Sequence, residues 1–137
     1  MSYSQQNKLT VDSASRITVK RGAAGVTQTL NVNILPGFHV NSNQPKDEFL
    51  IPLKLTWQPG PLEAGAITYP KSEDIKVGKD VLAVFTGSFA IQTHFTARDS
   101  IASGPAVMTG KLRYQACNNE MCFRPASIDI HVPVQIE

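Results

Sequence analysis

Three runs of this chain alternate apolar and polar residues with a period of two, which suits a strand with one face in a core and does not suit an amphipathic helix. In Val26-Thr-Gln-Thr-Leu-Asn-Val-Asn-Ile34, Val26, Leu30, Val32 and Ile34 share one face and Thr27, Thr29, Asn31 and Asn33 the other. Phe49-Leu-Ile-Pro-Leu-Lys-Leu-Thr-Trp57 sets Phe49, Ile51, Leu53, Leu55 and Trp57 inward, with Pro52 marking an edge or a bulge. Ile128-Asp-Ile-His-Val-Pro-Val-Gln-Ile136 aligns Ile128, Ile130, Val132, Val134 and Ile136. Shorter strand candidates are Arg16–Lys20, Phe38–Val40, Val81–Phe85, Phe89–Ala97 and Val107–Ala116. Turn clusters such as Lys20-Arg-Gly-Ala-Ala-Gly25, Leu35-Pro-Gly37, Gln58-Pro-Gly-Pro61 and Ser100-Ile-Ala-Ser-Gly-Pro105 separate them. Seven to nine short strands, with no sustained helical period, predict an all-β, immunoglobulin-like antiparallel β-sandwich, with a small barrel as the alternative.

The 137 residues suffice for a single domain that buries about two-thirds of its unfolded surface. Residues 1–8 are expected to be a disordered or appended start. A net charge of +2, with no basic run, excludes the electrostatic footprint of a nucleic-acid binder. No apolar run reaches the roughly 18 residues of a membrane-spanning helix, so direct membrane insertion by this segment is not expected. Met1-Ser-Tyr-Ser-Gln-Gln-Asn-Lys8 lacks the apolar centre of a secretory signal, as would a secreted domain after signal removal, so the start leaves the compartment open.

Both cysteines lie in Gln115-Ala-Cys117-Asn-Asn-Glu-Met-Cys122-Phe-Arg-Pro125, four residues apart between strand-like runs. Residues that flank such a hairpin loop face each other about 4.5–5.5 Å apart at Cα, within the span of a disulfide. A bridge closing so short a loop stabilises the fold by only about 2 kcal/mol in the loop-entropy account, a modest gain for a staple. Continuing the alternation Leu112, Tyr114, Ala116 inward sends Cys117 outward, where it would be open to exchange. Arg113 and Arg124 would favour a thiolate there and Glu120 would oppose it. On spacing alone a redox pair and a structural staple stand level.

A copper or zinc site could join the cysteines to one of His39, His94 or His131, with Met121 as a thioether, although no histidine has ligand spacing to a cysteine. Met121 equally suits a loop-tip docking contact. Hydrolytic motifs are absent, and the adjacent Glu73 and Asp74 read as a solvated polar loop.

Tyr114-Gln-Ala-Cys117, the short loop and Cys122-Phe-Arg-Pro125 resemble the signature of the N-terminal periplasmic domain of DsbD, the thiol:disulfide interchange protein. Gly37-Phe-His-Val-Asn-Ser-Asn43 and Tyr69-Pro-Lys-Ser-Glu73 are similar to two further segments of that family, and together the matches span residues 30 to 136. The resemblance implies an immunoglobulin-like sandwich in the periplasm, whose cysteine pair shuttles between dithiol and disulfide without any cofactor. It implies partners of two kinds. A thioredoxin-like domain, fed by a transmembrane domain of the same parent chain, reduces the pair; disulfide isomerase-type clients, including those serving cytochrome c biogenesis, receive the electrons. It further implies that Cys122 forms the mixed disulfide and Cys117 resolves it. Ala66-Ile-Thr-Tyr-Pro70 would then be a cap with Tyr69 as its lid, and Phe38, His39, Met121 and Phe123 would neighbour the sulfurs. The family's acidic pair and Phe ahead of the cap Tyr are replaced here by Ala66, Ile67 and Thr68, and the cysteine loop has four residues where the best-known form has five.

Overall fold

A computed structural model describes residues 8–137, and every regular element among them is a strand. In chain order these are β1 (Leu9–Val11), β2 (Ile17–Val19), β3 (Val26–Ile34), β4 (His39–Asn41), β5 (Lys54–Trp57), β6 (Glu63–Thr68), β7 (Glu73–Val77), β8 (Asp80–Phe85), β9 (Ser88–Thr96), β10 (Gly104–Tyr114), β11 (Ala116–Cys117) and β12 (Ala126–Ile136). They form three four-stranded sheets, in the orders β1-β3-β9-β6, β2-β12-β10-β5 and β11-β4-β8-β7. Pairing between strands is antiparallel except where β2 joins β12 in parallel. The architecture is an immunoglobulin-like β-sandwich.

The long alternating runs supply the centre. Leu30, Val32 and Ile34 of β3 and Ile91 and Phe95 of β9 meet Met108 and Leu112 of β10 and Ile130, Val132, Val134 and Ile136 of β12 in one apolar cluster. At about 25 cal/mol per Å² of apolar surface removed from water, each large aliphatic side chain in it contributes roughly 1.5–3 kcal/mol. Trp57, half-buried at the end of β5, ties the sheets together. Its ring meets Phe95 edge-on at 5.0 Å between centroids, and its Nε1–H donates to the Thr93 hydroxyl at 3.0 Å. Gln28 takes the inward slot on β3 that the alternation left vacant among its apolar neighbours, and it is buried.

Several local expectations change. Phe49 is not a core residue but 85% exposed. β5 begins only at Lys54, because Pro52 has no N–H to pair. Residues 42 to 53 instead form a loop closed by Leu53 N–H donating to Ser42 O and Asn41 Nδ2 donating to Ile51 O. Glu73 and Asp74 are not in a loop. They open β7, where Asp74 ion-pairs with Lys46 at 3.2 Å. Lys8 is 3% exposed and belongs to the fold, whereas the rest of the expected disordered start, residues 1–7, lies outside the described residues.

Candidate functional site

The cysteine segment sits where the chain changes sheets. β10 pairs with β12 as far as Tyr114 opposite Ala126. Gln115 then breaks the ladder, its side-chain amide donating to Phe123 O at 3.1 Å, and β11 crosses over to pair with β4. Crossing between sheets cancels the alternation set by β10. Ala116 and Cys117 are consecutive and both buried, so the outward Cys117 expected from periodicity is instead 2% exposed. Cys122 is the exposed member of the pair.

The two sulfurs are bonded, with the Cα atoms 4.0 Å apart, somewhat nearer than the expected hairpin spacing. The intervening turn is held by its own polar groups. Asn118 N–H donates to Met121 O at 2.9 Å, and the Asn118 carboxamide oxygen accepts from the N–H groups of Glu120 and Met121, both at 2.8 Å. Phe123 N–H closes the ladder on Ala116 O at 2.9 Å. Met121 stands 55% exposed at the tip, beside the exposed Asn119 and Glu120.

Register places the neighbours in two rows. His39 pairs with Cys117, and Cys117 with Cys122, so these three residues stand side by side across adjacent strands. Directly opposed residues in an antiparallel ladder share a face, with Cβ atoms about 4.5–5.5 Å apart. On the alternate face, Phe38 packs its ring against Phe123 with centroids 5.9 Å apart. The Lys8 ammonium lies over both rings, 4.1 Å from the centroid of Phe123 and 5.3 Å from that of Phe38. The turn before Phe38 requires Gly37, whose φ of +90° is a conformation that side-chain-bearing residues avoid.

His39 is 4% exposed, and its Nε2 is buried with no hydrogen-bond partner among the described residues. Burial holds its pKa below the ordinary 6.5, so the ring is neutral at pH 7. An orphaned buried polar atom costs about 1–3 kcal/mol. The ring borders an open depression of about 460 Å³, shared with Leu35, Phe38, Ile75, Thr86 and, from the cysteine loop, Asn119.

Tyr69 does not join this group. Its hydroxyl accepts the Leu55 N–H at 2.9 Å on the free edge of β5, and it borders a separate depression with Ser42, Asn43 and Gln44. Among the described residues it forms no ring pair with Phe38 or Phe123. Of the expected cap, Ala66 to Thr68 lie in β6, along β9. Phe38, His39, Met121 and Phe123 are thus gathered at the cysteines, whereas Tyr69 is held at a strand edge.

The other two histidines are apart from the pair. His94 is exposed with Nε2 2.7 Å from Ala24 O, and His131 is exposed opposite Thr109 on β12. Among the described residues no three His, Cys, Asp or Glu side chains are grouped as metal ligands. Lys8 escaped the sequence reading entirely. It sits in a polar leader more than a hundred residues from the cysteines, and only the pairing of β1 with β3 brings it there.

The sequence matches the family described as thiol:disulfide interchange protein DsbD, N-terminal, over residues 5–132. No curated protein matches it. Among solved structures it is similar to the N-terminal periplasmic domain of ScsB from Proteus mirabilis, at a TM-score of 0.64 and 15% identity, over 96% of this chain and 49% of that one. The chain therefore spans about half the length of that relative. The reduced N-terminal domain of DsbD from Neisseria meningitidis aligns at a TM-score of 0.51 and 16% identity, covering 82% of this chain and 80% of that one. A type I cohesin from Pseudobacteroides cellulosolvens aligns comparably, at 0.53 and 13%, over 94% and 92% of the two chains. The sandwich alone therefore does not select a function.

Proposed function

Since the chain belongs to the family of the N-terminal domain of the thiol:disulfide interchange protein DsbD, we propose that it is a periplasmic relay. It takes two electrons from a thioredoxin-like donor and passes them to an oxidised client through Cys117 and Cys122. The observation that carries this reading is the asymmetry of the pair, with an exposed Cys122 bonded to a Cys117 that is 2% exposed. The difference in exposure favours Cys122 as the residue that meets another protein.

The exchange then runs in a fixed order. In the reduced domain, the Cys122 thiolate attacks a client disulfide, the client S–S bond breaks, and one client sulfur leaves as a thiolate. A mixed disulfide joins Cys122 to the other client sulfur. Cys117, held beside Cys122 by the ladder, loses its proton and attacks the Cys122 sulfur. The intramolecular disulfide forms, the mixed disulfide breaks, and the second client thiolate departs. The client gains the two electrons that the domain loses. Recharging by the thioredoxin-like donor, itself supplied by a transmembrane domain of the parent chain, is the reverse sequence. Met121 and Phe123 flank Cys122 and supply the apolar contact for the partner, while Phe38 packs against Phe123.

Cys117→Ser leaves Cys122 free and unable to be resolved, so it should accumulate a mixed disulfide with thioredoxin-fold periplasmic proteins on non-reducing gels. Cys122→Ser should not. Absence of any such adduct, together with a reduction potential below about −300 mV, would return the bridge to the status of an inert staple in an interaction module.

A further inference from the structure

We propose that His39 is the proton acceptor for Cys117 during resolution of the mixed disulfide, and the proton donor to the same sulfur when the pair is reduced. The inference rests on the relay reading and adds to it a group that the sulfur chemistry alone does not require.

His39 of β4, Cys117 of β11 and the bridge residue Cys122 form one row, and opposed side chains in such a row share a face. In the disulfide state the Nε2 of His39 is buried with no hydrogen-bond partner among the described residues. Buried polar atoms are normally satisfied, so an orphan calls for an explanation. Reduction supplies one: breaking the S–S bond creates an S–H, a new donor, on Cys117, the residue paired with His39. Burial keeps the imidazole neutral and hence able to take a proton.

The need for such a group follows from the burial of Cys117. Resolution requires its thiolate, and a thiolate in apolar surroundings forms reluctantly without a nearby base. The proton passes from Cys117 Sγ to the imidazole as the sulfur attacks Cys122. The resulting imidazolium gives it up to the departing client thiolate or to water through the depression that His39 borders. In the opposite direction the Cys117 sulfur leaves as an anion and regains its proton by the same route.

Among the described residues, few charged or titratable groups surround the ring. Cys117 faces it from β11, and Glu120 lies in the adjoining loop. From the β8 side comes Thr86, whose hydroxyl donates to Glu73 of β7. The Lys8 ammonium sits on the alternate face, over Phe38 and Phe123.

The test uses the reduced domain and 5,5′-dithiobis(2-nitrobenzoate). Attack by Cys122 releases a first thionitrobenzoate, and resolution by Cys117 releases a second, so the two steps are separate absorbance phases. In wild type the second phase should level off above a midpoint lying below pH 6.5. In His39→Gln it should be at least about tenfold slower near pH 6.5 and climb about tenfold per pH unit toward the thiol range, with the first phase within about twofold of wild type. A second phase unchanged in His39→Gln would overturn the assignment, as would slowing of both phases alike. If that variant does not fold, the wild-type profile decides, and a second phase rising without a plateau refutes the role. The small disulfide reacts with any accessible thiol, so these outcomes bear on His39 alone. Failure of Cys117→Ser to trap a protein client bears on the relay.

Discussion

Replacing Tyr69 by Phe separates two accounts of the segment ahead of β7. In the structure the Tyr69 hydroxyl accepts the Leu55 N–H at 2.9 Å on the open edge of β5, and Leu55 is itself buried opposite Leu112. The substitution keeps the ring and removes only that acceptor. If water reaches the freed N–H, the loss is that of an ordinary hydrogen bond, about 0.5–1.5 kcal/mol; if the N–H stays dry, it rises toward about 3 kcal/mol. A loss of about 1–2 kcal/mol is the fair expectation for this partly buried bond. With an unfolding entropy of about 2.1 cal/mol/K per residue, each kcal/mol moves the Tm of a chain this size by roughly 3–4 °C. Calorimetry of the oxidised protein should therefore show Tm lowered by about 4–7 °C. Tyr69→Ala removes the ring as well, and if Tyr69 serves only to hold the strand edge, the reduced Ala variant should react with iodoacetamide at a rate within about twofold of wild type. An unchanged Tm in Tyr69→Phe with several-fold faster alkylation in Tyr69→Ala would refute this reasoning and restore Tyr69 as a lid.

Two further outcomes follow from the packing. Gly110→Ala would bring its Cβ to 2.8 Å from Trp57 Cε3 and 2.9 Å from Thr56 O, so it should lower stability by about 1–3 kcal/mol in urea titration, and no loss would mean that β5 and Trp57 yield easily. His39 has a folded-state pKa depressed by burial, so below pH 6.5 the unfolded chain binds a proton that the folded chain resists, and stability falls as pH drops. Wild type should thus lose more Tm between pH 7.5 and pH 5 than His39→Gln does; equal losses would show that burial of this ring is not what acid titrates.

Legibility of the fold tracked how one-sided each strand is. β3 and β12 have one face in the core and one in water, and their alternation marks the buried row except at Gln28, whose polarity conceals an inward position. β6 and β7 have no fully buried residue, so neither shows a strong period. Edge strands of this kind are paired by backbone groups, whose hydrogen bonding leaves little mark on residue type. Phe49 failed in the opposite way. It fits the alternation of β5 on paper, but Pro52 ends the ladder first.

The site was hardest to read because its geometry depends on a break in the rule that reads the rest. Periodicity assigns Cys117 the same outward face as Lys111 and Arg113, and it holds only while β10 stays beside β12. Once Gln115 turns its amide to Phe123, the chain takes β4 as its partner, and the same step buries Cys117, exposes Cys122 beyond the turn and sets His39 beside them. A cysteine pair on a regular hairpin between two sheet-bound strands would present two similar sulfurs. Here one switch of partner strand makes them unequal. In the proposed relay that inequality orders the exchange, and the same switch pairs the buried cysteine with His39, the group proposed to take its proton.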